Sequence, residues 1–118
     1  MDINPACKIG VGVMFDHATG IVIGETAVVG DGCSIYHNVT LGGTGNQHDR
    51  HPKLGKNVIV GAGTVIVGNI KIGDNAKIGA GSCVIEPIPP NVTATGVPAK
   101  ILVRKKKAAA AKEPQSNM

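Results

Sequence analysis

Aromatic side chains are almost missing from this chain: Phe15 and Tyr36 are the whole complement, and there is no tryptophan. Neither an aromatic-rich core nor a stacking platform for nucleic-acid bases can be built from two rings. Leucine is scarce too, with three residues against 27 isoleucines and valines. Leucine is the usual filler of helix faces, whereas β-branched residues prefer strands. The three cysteines, Cys7, Cys33 and Cys83, are odd in number and form no C-x-x-C pair, so neither a disulfide framework nor a thiolate zinc site follows. No apolar run approaches about 18 residues and the start does not read as a signal peptide, which predicts a soluble, cytoplasmic protein. Surplus charge is absent from most of the chain. Residues 1–103 carry seven Lys/Arg and seven Asp/Glu, while residues 104–118 carry five and one. The net +4 therefore describes a basic, flexible tail, and gives nucleic-acid binding little support.

What is abundant is glycine, 17 of 118 residues, and a six-residue beat. Apolar anchors recur as Ile3, Ile9, Phe15; then, after a slip of two, Ile23, Val29, Ile35, Leu41; then, after a longer break, Leu54, Val60, Ile66, Ile72, Ile78, Val84. Glycine often follows the anchor, and a small or β-branched residue such as Cys7, Thr19, Ala27, Cys33, Thr64, Ala76 or Ser82 sits four past it. This is the hexapeptide β-helix pattern. Each hexad supplies one short strand, three close a triangular coil, and anchors of successive coils stack about 4.8 Å apart. Thirteen anchors predict a little over four coils. The all-β domain spans 1–103, and the tail spans 104–118.

The breaks in the beat are where function is expected. One falls at Asp16-His17-Ala18-Thr19-Gly20. The other, from Gly42 to Lys53, is too polar and glycine-rich for a flat side and predicts an excursion loop at about 42–53. The run Glu86-Pro87-Ile88-Pro89-Pro90 is expected to end the coils, since proline cannot continue a ladder. A return segment, 96–100, follows.

His17 is a candidate base. An imidazole used that way needs one nitrogen free and a carboxylate on the other to fix the tautomer. Asp16 is its neighbour, and Asp2, 15 residues upstream, falls one layer away around a corner. A surface histidine beside a turn is the competing reading. Arg50 and His51 close the long loop, where Arg can hold a carboxylate bidentately; an exposed polar loop is the plainer alternative. His48 and Glu25 read as solvated. His37 shares His17's offset one coil on, which raises a zinc site, but the third ligand would have to be His48 or His51 from the loop, and no metal is expected. Gly42-Gly43-Thr44-Gly45 lacks the Lys-Ser/Thr of a P-loop. Ala62 and Ala80, 18 residues apart, stack and leave a shallow groove, although coil geometry alone also explains them.

Taken together, Asp2-Ile3-x-Pro5-Ala6, Asp16-His17-Ala18-Thr19-Gly20, Gly24-Glu25-Thr26-Ala27, Val39-Thr40-Leu41-Gly42-Gly43-Thr44-Gly45, Asp49-Arg50-His51-Pro52-Lys53 and Gly96-Val97-Pro98-Ala99-Lys100 resemble the serine O-acetyltransferases, over about residues 2–103. The resemblance implies left-handed coils, a homotrimer, and acetyl transfer from acetyl-CoA to L-serine without a metal. It places His17 as the catalytic base and Asp2 as its paired carboxylate. It assigns Asp16, Arg50 and His51 to the amino-acid substrate. Gly43, Ala62 and Ala80, with Lys100 nearby, fall on the coenzyme A groove between subunits. Family members carry an N-terminal helical domain that joins two trimers; here the family-like motifs begin at Asp2, so a stand-alone trimer is expected. Many members end in an isoleucine that enters a cysteine synthase partner, and this chain ends Ser116-Asn117-Met118, which leaves that partner open. The rival readings are a hexapeptide O-acetyltransferase for a sugar or antibiotic, a non-catalytic trimeric scaffold, and a zinc enzyme of the hexapeptide carbonic anhydrase type.

Overall fold

The computed structural model describes residues 1–45 and 48–102; the basic tail and its boundary at 103–104 lie outside the described residues. Among the described residues fifteen short strands follow one another and wind into a three-sided prism. The first side stacks β1 (Asp2–Ile3), β4 (Val22–Ile23), β7 (Thr40–Gly42), β10 (Val65–Val67) and β13 (Cys83–Val84). The second stacks β2 (Lys8–Ile9), β5 (Val28–Val29), β8 (Lys53–Leu54) and β11 (Lys71–Ile72). The third stacks β3 (Met14–Phe15), β6 (Ser34–Ile35), β9 (Ile59–Val60), β12 (Lys77–Ile78) and β14 (Thr93–Gly96), closed by β15 (Ala99–Ile101).

Every anchor lands on a strand, and the ladders pair anchor with anchor. Ile3, Ile23, Leu41, Ile66 and Val84 are in register on the first side. Ile9, Val29, Leu54 and Ile72 are in register on the second, and Phe15, Ile35, Val60 and Ile78 on the third. All ladders are parallel except the closing β14–β15 pair. From Ile23 onward the anchors are buried, and they form one continuous aliphatic column with Val39, Val58, Ala76 and Cys33. Each fully buried aliphatic side chain contributes roughly 1.5–3 kcal/mol. Truncating Ile35 or Ile66 to Ala in so narrow a column costs about 2–5 kcal/mol.

Two expectations are corrected here. The prolines at 87, 89 and 90 do not end the coils. Ile88 bridges Ile72, donates its N–H to Lys71 O (3.0 Å), and accepts from Gly73 N (2.8 Å). Ala94 then pairs with Ile78, so a fifth coil closes, two residues shorter than the one before it. The prolines flank Ile88, the residue whose N–H the ladder uses, so their missing donors cost nothing. Thr19 does not fill the interior either. It is exposed, and Ile21, displaced by the two-residue slip, is fully buried in its place.

The outward positions differ from side to side. The second side presents Lys8, Val28, Lys53 and Lys71, whereas the first presents Val22, Thr40, Val65 and Cys83. The third presents Met14, Ser34 and Ile59 before Lys77 and Thr93. Val22, Met14 and Ile59 are exposed, so apolar surface lies on the first and third sides and lysine on the second.

Candidate active site

The candidate side chains sit on two edges of the prism. The edge between the third and first sides carries His17, His37, Ala62 and Ala80. Around the slip, Asp16 N–H still bonds Ile35 O (2.9 Å), and Asn38 N–H bonds Thr19 O (2.7 Å). The two extra residues are therefore His17 and Ala18 themselves. Both take left-handed backbone, φ 63° and 32°, which side-chain-bearing residues adopt rarely and at a cost. The turn is tied by Thr19, whose N–H and hydroxyl both bond His17 O, the hydroxyl at 2.9 Å. The bulge pushes His17 out of the coil: its side chain is 74% exposed, with Nε2 3.6 Å from Asp16 Oδ1. Its ring meets that of His37 edge to face, centroids 5.8 Å apart. His37 Nδ1 is buried without a hydrogen-bond partner among the described residues.

Beyond His37 the same edge narrows. Gly63 N–H bonds His37 O (3.0 Å) and Gly81 N–H bonds Ala62 O (2.8 Å), which aligns His37, Ala62 and Ala80 as successive steps. Continuing the Ile78–Ala94 register brings Gly96 over Ala80. The side chains along this ridge thus shrink from imidazole to methyl to hydrogen. Lys100 lies opposite Thr95 on the closing hairpin, exposed beside the ridge's far end.

Arg50 and His51 occupy the edge between the first and second sides, where the excursion loop rejoins the prism. His51 is buried and its ring lies against Gly24: a Cβ there would come within 2.1 Å of Nε2. Gly43 is the other wall, since its Cβ would sit 2.8 Å from His51 Nε2 and 2.9 Å from Arg50 Nε. Only glycine at both positions leaves room for the imidazole. The structure thus groups Gly43 with the Arg50–His51 edge and not with Ala62 and Ala80.

Thr26 ties the pair down. Its hydroxyl lies 2.8 Å from His51 Nδ1 and accepts from Arg50 N–H (3.1 Å) and His51 N–H (3.0 Å). Its own N–H donates to His51 Nδ1 at 3.2 Å. Lys53 Nζ fixes the loop's end by bonding Asp49 Oδ1 (2.6 Å), His51 O (2.6 Å) and Asn69 Oδ1 (3.3 Å). Burial pushes the His51 pKa down, and the Arg50 and Lys53 charges push it further. The Lys53 hydrogen bond holds the Asp49 carboxyl below its ordinary range. In the sequence Thr26 figures only as part of the Gly24-Glu25-Thr26-Ala27 motif, with no role of its own; its place at a corner facing the loop supplies that role.

Asp2 stands on β1 directly beneath Val22, with its N–H on Ile21 O (2.7 Å). The carboxylate within ion-pair distance of His17 is Asp16 and not Asp2. No group of three or more His, Cys, Asp or Glu gathers to hold a metal among the described residues, and His51 Nδ1 is turned to Thr26. Cys33 donates to Gly55 O (3.1 Å), with its thiol pKa pushed up by burial.

Residues 51–86 match the bacterial transferase hexapeptide family of six repeats. The serine acetyltransferase of Salmonella typhimurium is 61% identical over 103 residues, which is 86% of this chain and 38% of that protein. Over its β-helix this chain is similar to the serine acetyltransferases. Two solved structures agree with it in three dimensions. The Neisseria gonorrhoeae serine acetyltransferase in complex with serine superimposes with a TM-score of 0.84 at 56% identity, over 87% of this chain and 42% of that one. The Brucella abortus serine acetyltransferase in complex with coenzyme A gives 0.85 at 56%, over 86% and 41%. The chain thus spans about two fifths of the length of these relatives, and its prism is the left-handed parallel β-helix they share.

Proposed function

We propose that this β-helix transfers an acetyl group from acetyl-CoA to the hydroxyl of L-serine, giving O-acetylserine and CoA in cysteine biosynthesis. The observation that carries the reading is the bulged, exposed His17 at the head of a ridge that shrinks to Ala62, Ala80 and Gly96. The likeness to relatives crystallised with serine and with coenzyme A supports it. His17 takes the serine hydroxyl proton as that oxygen attacks the thioester carbonyl. The C–O bond forms, the tetrahedral intermediate collapses, the C–S bond breaks, and His17 returns the proton to the leaving thiolate. General-base assistance of this kind supplies about 10²- to 10⁴-fold. Asp2 is assigned the pairing carboxylate, reached from the strand below Val22, which leaves Asp16 for the serine ammonium. Arg50 and His51 take the serine carboxylate. The pantetheine arm of coenzyme A lies along the Ala62–Ala80 step, with Lys100 near its phosphates and Gly43 lining the approach.

His17 and the Arg50–His51 pair stand on different edges, separated by the first side, where about four residues at roughly 3.3 Å each separate the two corners. A second copy resolves this. In a head-to-tail homotrimer the apolar first and third sides are covered, the lysine-bearing second side faces water, and one subunit's His17 edge meets the next subunit's Arg50 edge. No helix among the described residues is long and apolar enough to cross a membrane.

The test is CoA release from acetyl-CoA with L-serine against a panel of sugars and aminoglycosides, with the oligomer sized on the same sample. Serine-dependent release from a trimer is expected. Sugar turnover without serine turnover would replace this reading with that of a sugar O-acetyltransferase, and failure to bind CoA would leave a scaffold.

A further inference from the structure

The hydrogen bonds around His51 determine which of its nitrogens carries the proton. Nδ1 receives the Thr26 backbone N–H at 3.2 Å, so Nδ1 presents a lone pair. The Thr26 hydroxyl accepts two backbone donors, Arg50 N–H and His51 N–H, and its single hydrogen lies between two acceptors, His51 Nδ1 at 2.8 Å and the Asp49 carboxylate. An imidazole nitrogen whose lone pair accepts a backbone N–H cannot also bear hydrogen, so a neutral His51 is protonated at Nε2. That nitrogen faces the gap between Gly24 and Gly43, beside Arg50 Nε, which is also against Gly43. The neutral form is the resting one, because burial disfavours the imidazolium. Arg50 and Lys53 oppose the cation as well, and Glu25 and Asp49 only partly offset them.

We propose that Thr26 is a positioning residue for substrate recognition: it fixes His51 as the Nε2–H tautomer and seats Arg50 beside it, so that two donors are presented together to one carboxylate of the acceptor. This rests on the serine-acetylating reading for the identity of the carboxylate, but not for the tautomer. A single hydroxyl thereby serves two main-chain donors and faces two acceptors, the His51 ring and the Asp49 carboxylate. Threonine suits the position because its methyl group restricts χ1 and holds the oxygen in one place.

The experiment has two arms. In the first, the full chain is labelled with ¹⁵N-histidine and the ring nitrogens of His51 are read by NMR at neutral pH, assigned against His51→Gln. The expected signature is a protonated Nε2 and an unprotonated Nδ1. A protonated Nδ1 in the wild-type protein overturns the proposal whatever the enzyme's substrate. In the second, Thr26→Val and Thr26→Ser are compared in acetyl transfer. Valine removes the hydroxyl and strands two buried N–H groups, so KM for serine is expected to rise about tenfold or more. KM for acetyl-CoA should stay within about twofold, because the ridge edge is untouched. Serine at position 26 restores the hydroxyl and is expected to bring KM back within about threefold. Thr26→Val with unchanged KM and unchanged ring signals would overturn the proposal. If valine fails to fold, the wild-type ring signals and Thr26→Ser still decide it. Absence of serine turnover with the expected tautomer present would count against the substrate reading and leave the role of Thr26 standing.

Discussion

His17 and His37 meet edge to face across one step of the prism, with ring planes at 88°. The contact gives the bulged His17 a wall on one side and leaves its other side open. Because His37 Nδ1 is buried without a partner among the described residues, the wall is made by the ring and not by a hydrogen bond.

That separation of roles gives a first prediction. His17→Ala is expected to lower kcat about 10²- to 10⁴-fold. Its melting temperature should barely move, since the side chain is 74% exposed. His37→Phe keeps a flat wall and removes an unpartnered nitrogen, so most activity and full stability should survive. Steady-state kinetics and thermal melts on the two variants check this; near-normal turnover in His17→Ala would reject it as the base.

Gly24→Ala is expected to be disabling through its clash with His51. A methyl group would lie 2.0 Å from His51 Cδ2, so the ring must leave its seat or the corner must shift. Overpacking of that kind costs about 1–3 kcal/mol. The expected result is a lower melting temperature together with at least tenfold weaker serine use, measured as kcat/KM.

The two active edges give a complementation test. His17→Ala and Arg50→Ala should each be inactive alone. Co-refolded in equal amounts, they should recover about a quarter of wild-type activity, since a head-to-tail ring pairs one chain's intact His17 with its neighbour's intact Arg50 in that share of interfaces. No recovery from a mixed trimer would place both groups in sites built by one chain.

Acid should loosen the loop. The folded pKa of His51 lies below its unfolded value of about 6.5, so the unfolded chain binds more protons in that window and stability rises with pH there. The contribution is complete above the unfolded value and is lost as pH falls toward the folded one. Asp49 acts in the same direction at lower pH, through its bond to Lys53, but it is exposed and adds little. Melting temperature should therefore drop on acidification from about pH 7 to 5, and His51→Gln should flatten that part of the curve.

The prism was legible because its cause is local. Thirteen apolar anchors at a fixed spacing put thirteen strands in register, and both breaks in the beat mark the edges where the candidate site lies. The fifth coil was hidden because proline argues against a ladder only where its N–H is needed, and at 87–90 the ladder uses Ile88 instead. The role of Thr26 was hidden for a different reason. A threonine at a corner is unremarkable until a loop 24 residues later folds back onto its hydroxyl, and nothing in local spacing reports that return. Asp2 illustrates a related limit: its distance along the chain allows contact with His17 without fixing it, and the short contact among the described residues is made by Asp16.

The tapering edge also works as a ruler. His17 and Gly96 are separated by four steps, about 19 Å at the usual strand spacing. That length is written in the number of coils and in no single side chain. Excising residues 55–72, one whole turn in register, would bring Lys100 about 4.8 Å closer to His17 while keeping both ends intact. If the ridge holds the acyl carrier as proposed, such a deletion should shift which carrier length is accepted while leaving the imidazole untouched.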